Sequence, residues 1–424
     1  MDAATTTRKQ VVLYPAPGLG HLVSMAELGK ILAARGLAIT VIIIKPPYDT
    51  GTIGPFLAGV TAANPSISFH CLPPVELPLV DSVHPEAVAV DVATELGIPA
   101  YYFFTCCTET LAIFLYLPVL HAQSTASFRE MDDELVHVTG IPSFPAVHCF
   151  KPLMDRDDAA YRAFLRVSSY LCCSQGIIVN TFRSLEPRAV DAISAGLCTP
   201  PGLPTPPVYC IGPLIKSGEV GVKHGQECLA WLDTQPKASV VFLCFGSRSL
   251  FNANQTRELA IGLEASGKRF LWVVRSPPRD IDDPAKKLDK LLEPDLEALL
   301  LEGFLERTKG TGLVVKSWVP QRYVLAHDAV DAFVMHYGWN SVLETVMAGV
   351  PMLAWPLYAE QRVNKVFLEK ELGLVVAVEG YEKEVVQANE VASKERTLAA
   401  MRLGKEALLP GGESVVTLTQ LVES

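Results

Sequence analysis

The segment WVPQRYVLAHDAVDAFVMHYGWNSVLETVMAGVPMLAWPLYAEQ, residues 318–361, decides the fold of the second half of the chain. Residues 332–336 are an apolar run typical of a buried strand, 340–348 have the pattern of a helix, and 352–355 predict a second strand. This order predicts a parallel βαβ unit, which requires a sheet with helices on both faces. We therefore expect an α/β fold.

The same alternation runs through the whole chain in two blocks, separated by CTPPGLPTPPVYCIGPLIKSG, residues 198–218, a proline- and glycine-rich linker. Two doubly wound blocks imply two domains that face each other across a cleft, a common place for a ligand. We predict an N-terminal domain over 1–213, a C-terminal domain over 214–392 and a helical tail over 393–424.

Composition limits the classes of function. The 424 residues carry a formal net charge of −10 and no basic run, which argues against a nucleic-acid partner. No apolar stretch reaches membrane-spanning length, and the N-terminus has no signal-peptide core. The ten cysteines lack metal-ligand spacing, so we expect reduced thiols and no metal site. These features predict a cytoplasmic monomer.

A glycine turn near the N-terminus presents a histidine. In YPAPGLGHLVSM, residues 14–25, the turn follows an apolar strand and leads into a helix. A dinucleotide fingerprint needs a third small residue where Val23 stands, and an acidic residue after the next strand, which ends in Lys45. A nicotinamide oxidoreductase is therefore disfavoured. His21 lies just past the carboxyl end of a strand, where open α/β sheets bind ligands, and at this point both a structural and a functional role are open.

Residues 318–361 resemble the signature segment of plant secondary-product UDP-glycosyltransferases, family 1 enzymes with the GT-B fold of two Rossmann-like domains. The resemblance continues over most of the chain, including PGLGHLVSMAELGK, ELGIPAYYFFT and IGPL. It implies UDP-glucose as co-substrate, no further cofactor, and a small lipophilic acceptor such as a phenol or flavonoid. The matching marker positions are Trp318, Pro320, Gln321, His336, Gly338, Trp339, Asn340, Ser341, Glu344, Pro356, Glu360 and Gln361.

The residue types in this segment suit a diphosphate. A helix that opens after Gly338 offers N–H groups without intrahelical acceptors and the positive end of its dipole. Side chains at the ends of two strands can add donors. The expected diphosphate-binding residues are Ser247, His336, Gly338, Trp339, Asn340 and Ser341.

Other residues suit the nucleoside and the sugar. Trp318 offers a flat face for uracil, and Gln321 has both a donor and an acceptor for the uridine. Glu344 can accept from both ribose hydroxyls, and Glu360 and Gln361 can bind sugar hydroxyls; in the family, glutamine at the last position accompanies glucose. Any one of these residue types is more often structural than ligand-binding, so we infer a donor site from the spacing of all of them together. The resemblance adds Val319, Tyr358 and Thr105, the last at a position that touches the donor sugar.

The resemblance gives His21 the role of general base, because the acceptor hydroxyl must lose its proton as it attacks the anomeric carbon. Displacement of UDP inverts that carbon and yields a β-glucoside. The acceptor pocket would be lined from the N-terminal domain, with Phe104 and Phe144 as candidates.

The chain departs from the family where the histidine's partner aspartate should be. That aspartate lies eight residues before the position of Asp91, where this chain has Val83. One helix and one strand are missing between two joined segments near residues 87–90, roughly thirty residues by the size of a βαβ unit. Asp81, Glu86 and Asp91 are candidate substitutes, and β-strand 100–104 must move inward or leave a gap. A second shortening lies near 389–401.

Two smaller departures adjoin the donor site: Tyr337 stands where cysteine is usual, and Arg248 and Ser249 replace a glycine-containing turn. These two bear on the affinity for the donor. Because the donor segment is intact while the histidine lacks its aspartate, the alternative function is a catalytically impaired relative that binds UDP-sugar without transferring it.

Overall fold

The computed structural model of the chain describes residues 9–15, 19–43, 53–72, 85–215, 223–246, 251–277, 293–357, 359–377 and 405–423. Its strands are β1 (Gln10–Leu13), β2 (Ala38–Ile43), β3 (Ile67–Cys71), β4 (Tyr101–Phe104), β5 (Leu135–Val136), β6 (Phe144–Pro145), β7 (Gly176–Val179), β8 (Val208–Cys210), β9 (Val240–Cys244), β10 (Arg269–Val274), β11 (Gly312–Lys316), β12 (Val330–Met335), β13 (Met352–Ala354) and β14 (Val375–Ala377). Its helices are α1 (Leu19–Ala34), α2 (Ile53–Ala63), α3 (Pro85–Glu95), α4 (Thr108–Gln123), α5 (Phe128–Met131), α6 (Ala159–Cys173), α7 (Pro187–Ser194), α8 (Lys223–Asp233), α9 (Ala253–Ser266), α10 (Leu296–Leu299), α11 (Phe304–Arg307), α12 (Gln321–Leu325), α13 (Trp339–Ala348), α14 (Gln361–Phe367) and α15 (Glu413–Glu423).

The C-terminal half contains one six-stranded sheet in the order β11-β10-β9-β12-β13-β14, and all its pairs are parallel. This is the doubly wound order 3-2-1-4-5-6, in which the strand order reverses between β9 and β12. Ligands bind such sheets outside the carboxyl ends of the strands at that reversal. The expected α/β class is confirmed.

The described strands of the N-terminal half do not form one continuous sheet. They form two parallel three-stranded sheets, β1-β2-β3 and β4-β7-β8, with β1 and β4 as edge strands, and a small antiparallel pair, β5-β6. Val12 on β1 is 62% exposed. A sheet of the order seen in the C-terminal half would have one more strand between β1 and β4. This agrees with the expected loss of a strand, and β4 has not moved inward to pair with β1.

Each half has its own apolar core. In the N-terminal half one cluster centres on β1–β3 and α1 and another on α4, α6 and β7. Two clusters flank the C-terminal sheet, and the larger one includes Cys107 and Phe182 of the N-terminal half. The last helix, α15, packs back on the N-terminal half, where Leu418 joins its core and Ser414 Oγ donates to the Gly212 carbonyl. The domain limits expected from the sequence stay a prediction.

Helix α4 was not predicted from the sequence. Eight of its residues are buried and it contains Pro118, so its apolar residues show no single hydrophobic face. In the parts of the chain that the structure describes, neither this helix nor any other is long and apolar enough to cross a membrane.

Candidate active site

The turn between β12 and α13 faces the reversal point of the C-terminal sheet. β12 ends at Met335, and α13 begins at Trp339 with Gly338 as its N-cap. The first N–H groups of α13 have no acceptor within the helix, and the positive end of its dipole lies at the same place. The neighbouring strand β9 leads into Gly246, whose backbone φ is +82°. This geometry suits a bound diphosphate.

His336 is packed between two glycines of this turn. A Cβ at Gly246 would lie 2.5 Å from Nε2 of His336, and one at Gly338 would lie 2.7 Å from it. Only glycine leaves room for the ring at both positions. Burial lowers the pKa of His336 to about 4, so the ring is neutral at pH 7. It can therefore contribute a neutral N–H donor, not a positive charge, to a bound anion.

Tyr337 does not obstruct the turn. Its backbone φ is +67°, and the completely buried ring lies in the larger hydrophobic cluster of the C-terminal half. Burial raises the pKa of its hydroxyl well above the usual value. The replacement of cysteine at this position therefore adds a core side chain.

The residues expected at the nucleoside lie together beside α13. Gln321 Nε2 donates to Ser341 Oγ at 3.0 Å and to Glu344 Oε2 at 2.7 Å. Glu344 is thus held in place beside α13, and its carboxylate oxygens are the kind of acceptor that ribose hydroxyls need. Trp318 follows Ser317, a residue with φ of +65°, and is 42% exposed, whereas Val319 is buried. An exposed indole face is the property that stacking with uracil requires.

His21, at the start of α1, faces the loop that follows β4. Its Nδ1 lies 3.2 Å from Thr105 Oγ1, and the ring is exposed. Asp91, a candidate substitute for the family aspartate, instead accepts a 3.0 Å hydrogen bond from the Tyr170 hydroxyl. The prediction of Asp91 as the partner of His21 is therefore wrong. Asp81 and the side chain of Glu86 lie outside the described residues, so those two candidates stay predictions.

The same loop also contacts the segment expected to bind the sugar. The Cys106 thiol lies beside the Glu360 carboxyl, whose pKa is raised by burial. Gln361 is buried, and its Oε1 accepts a 2.8 Å hydrogen bond from Leu357 N, which closes the loop before α14. Ser247, Arg248, Ser249 and Tyr358, together with the shortening near 389–401, lie outside the described residues.

Two buried asparagines that we did not single out in the sequence join the halves of the chain. Asn180 follows β7, and its carbonyl accepts a 2.7 Å hydrogen bond from Nε1 of Trp339. Asn364 Oδ1 lies 3.1 Å from the Cys107 sulfur, while its Nδ2 donates to the Tyr337 carbonyl at 3.0 Å. The sequence signal for Asn180 is an amide at the end of an apolar strand.

The acceptor-pocket expectation is wrong for Phe144, which is completely buried in the core around α4. Phe104 is half-buried and packs edge-to-face on Phe114, with ring centroids 5.6 Å apart. Aromatic packing within the N-terminal half therefore accounts for both side chains.

A buried acidic pair lies beneath the loop that carries Thr105. The Cys107 sulfur and one carboxylate oxygen each of Glu109 and Glu186 lie within 4.8 Å of one another. Glu186 accepts from Thr108 N at 2.5 Å, which stabilises its charged form. Burial and the negative charge of Glu186 raise the pKa of Glu109 well above its usual value. We therefore infer that Glu109 is the protonated member of the pair. The expectation of no metal site stays a prediction.

The chain matches known proteins over this site and beyond it. The model of the family described as UDP-glucoronosyl and UDP-glucosyl transferase matches residues 218–389. The chain is 40% identical to anthocyanidin 5,3-O-glucosyltransferase of Rosa hybrid cultivar, with 97% of this chain and 98% of the relative covered. That alignment extends over 473 positions, more than the 424 residues of this chain, so the rose protein has residues with no counterpart here.

Solved structures show the same fold. The structure of Phytolacca americana UGT2 complexed with UDP-2fluoro-glucose and pterostilbene superposes with a TM-score of 0.81 at 30% identity, covering 98% of this chain and 99% of that one. Medicago truncatula UGT71G1 complexed with UDP-glucose gives a TM-score of 0.81 at 30% identity, with 98% of each chain covered. The expected GT-B fold is therefore confirmed.

The acidic pair predicts a pH-dependent stability. A carboxyl group with a raised pKa in the folded state stabilises the protein fully below its unfolded pKa, and this contribution is lost as the pH rises through the folded pKa. Glu109→Gln keeps a hydrogen-bond donor and cannot ionise, so we expect its melting temperature to exceed that of the unmodified chain at pH 8 and to match it below about pH 4, where glutamate in the unfolded chain is protonated as well. Each kcal/mol recovered corresponds to about 1 °C for a chain of 424 residues.

Calorimetry at both pH values measures this difference. Glu95→Gln, which changes an exposed glutamate of α3, is the matched control and should leave the pH dependence unaltered. If the melting temperatures of Glu109→Gln and the unmodified chain differ by the same amount at both pH values, the assignment of the proton to Glu109 is refuted.

Proposed function

The chain belongs to the UDP-glucoronosyl and UDP-glucosyl transferase family, and we propose that it transfers glucose from UDP-glucose to a hydroxyl group of a small phenolic or flavonoid acceptor. The observation that carries this proposal is that α1, the helix of His21, contacts the start of α13 through a hydrogen bond from Ser24 Oγ to Asn340 Oδ1. We further propose that the protein acts as a cytoplasmic monomer without an additional cofactor.

The donor half of the proposal is supported by six side chains and one helix end. UDP would stack its uracil on Trp318 and place its ribose hydroxyls on Glu344, which Gln321 orients. Its diphosphate would face the N–H groups at the start of α13, with neutral His336 as an additional donor. The same groups stabilise the charge that develops on UDP as it leaves. Glu360 and Gln361 would bind the glucose hydroxyls.

The transfer step requires a base on the acceptor side. The acceptor oxygen forms a bond to C1 of glucose, the bond from C1 to the β-phosphate oxygen breaks, and the acceptor proton moves to His21. When Thr105 Oγ1 accepts from Nδ1–H, Nε2 carries the lone pair that takes this proton. A neutral hydroxyl fixes the tautomer, but it stabilises the imidazolium less than a carboxylate would. We therefore expect transfer that is slower than with a carboxylate partner.

The alternative of UDP-sugar binding without transfer is not favoured. The relatives that the chain matches over nearly its full length are glucosyltransferases. His21 also has a hydrogen-bonding partner in the absence of the family aspartate.

Replacement of His21 tests the base. We expect His21→Ala to lower kcat for glucosylation of a panel of phenols and flavonols by about 100- to 10,000-fold, the usual contribution of a general base. UDP binding by isothermal titration calorimetry should change little, because the ring lies outside the nucleotide contacts. Retained transfer in a folded His21→Ala protein would contradict the assignment.

Thr105 tests the substitute for the missing carboxylate. Thr105→Val keeps the shape and removes the hydroxyl, so kcat should fall about ten-fold, the value of one hydrogen bond. Thr105→Ser keeps the hydroxyl and is the matched control, with kcat within about three-fold of the unmodified chain. Equal rates for the valine and serine variants would show that the contact to His21 is unimportant.

Trp318 tests the nucleoside site. Stacking of a base on an aromatic ring contributes about 1–3 kcal/mol, so Trp318→Ala should raise the Kd of UDP by about ten-fold or more. Tyr323→Ala removes another exposed aromatic ring, on α12, and should leave the Kd unchanged. Similar Kd values for the two variants would place the uracil elsewhere.

A further inference from the structure

Ser24 lies one helical turn after His21, on the same helix and the same side of it, because residues three apart on an α-helix are neighbours. Unlike His21, Ser24 is almost completely buried, with 1% of its surface exposed. Its Oγ donates a 3.2 Å hydrogen bond to Oδ1 of Asn340. The contact joins residues 316 positions apart and connects α1 directly to α13.

Asn340 receives a second hydrogen bond from the N-terminal half. Nδ2 of Asn180 lies 3.4 Å from the same Oδ1 atom. With its amide oxygen directed at Ser24 and Asn180, the Nδ2 group of Asn340 points the other way along the amide plane. Asn340 is the second residue of α13, so its Nδ2 group adds a side-chain donor to the backbone N–H groups at the helix start.

Asn180 is itself rigidly held. It is completely buried, its Oδ1 accepts from Leu214 N at 2.7 Å, and its carbonyl accepts from the Trp339 indole. The orientation of the Asn340 amide is thus fixed by a buried network, so the contact with Ser24 fixes α1 relative to α13.

We propose that Ser24 is a positioning residue: it sets the distance between the general base His21 and the donor bound at the start of α13. The inference rests on the proposed function, because it assumes that His21 acts on a sugar donor at that helix end. Ser24 touches neither substrate and acts through Asn340. Misplacement of a base by about 1 Å can lower a rate by about 100-fold, so a contact of this kind can control kcat without contributing to binding.

The test is a double-mutant cycle with Ser24→Ala and Asn340→Ala, measured as kcat for glucosylation and as the Kd of UDP. We expect Ser24→Ala to lower kcat by about ten-fold or more and to change the Kd of UDP far less. In the Asn340→Ala background the same substitution should have little further effect, because its partner is gone. Ser24→Cys, with a weaker S–H donor, should give an intermediate kcat.

Ser168→Ala is the matched control, since it removes a buried hydroxyl of the same size that bonds only to the Phe164 carbonyl of its own helix. Its kcat should equal that of the unmodified chain. An equal loss from Ser24→Ala in both backgrounds, or no loss in either, would overturn the proposal.

A readout without turnover separates this inference from the proposed function. Addition of UDP should slow hydrogen exchange in residues 19–34 of the unmodified chain, because UDP orders α13 and Ser24 couples α1 to it. The effect should disappear in Ser24→Ala. If the chain transfers no glucose but UDP still slows exchange only when Ser24 is present, the proposed function is contradicted and the coupling of α1 to α13 is supported. If UDP leaves exchange unchanged in both proteins, the coupling is overturned.

Discussion

The hydrogen bond from the Trp339 indole to the Asn180 carbonyl fixes how the two halves of the chain meet. Trp339 is the first residue of α13, so the bond holds the anion-binding helix end against the end of β7. A buried indole N–H without an acceptor would cost about 1–3 kcal/mol, which favours this one arrangement over others. The contacts of Ser24 with Asn340 and of Cys107 with Asn364 join the two halves around it.

The loss of a strand from the N-terminal half has separate structural and chemical consequences. Structurally, β1 and β4 are left as edges of two small sheets, and one apolar cluster that includes residues of α1, α15 and both sheets connects them. Chemically, among the residues that the structure describes, the hydroxyl of Thr105 lies 3.2 Å from Nδ1 of His21. The residues proposed to bind the donor lie in the other half of the chain, where the six strands form one continuous sheet.

The fold and the donor site could be predicted from the sequence because both are local. Strand, turn and helix follow one another within residues 318–361, so periodicity and spacing suffice to place Gln321, Ser341 and Glu344 together. The contacts between Ser24, Asn180 and Asn340 could not be predicted, since they join distant segments whose approach depends on packing. Helix α4 was missed because it is apolar on all sides, and Phe144 was misassigned because aromatic side chains suit a core and a pocket equally well.

We expect this chain, with its divided sheet and a threonine beside its histidine, to catalyse direct displacement of UDP from the anomeric carbon by the acceptor oxygen. Proton NMR of the products from UDP-glucose and a phenol tests it most directly, because the coupling between H1 and H2 of the sugar identifies the anomer. The account predicts a phenolic β-glucoside and UDP in equal amounts. An α-glucoside, or free glucose with no glycoside, would contradict it.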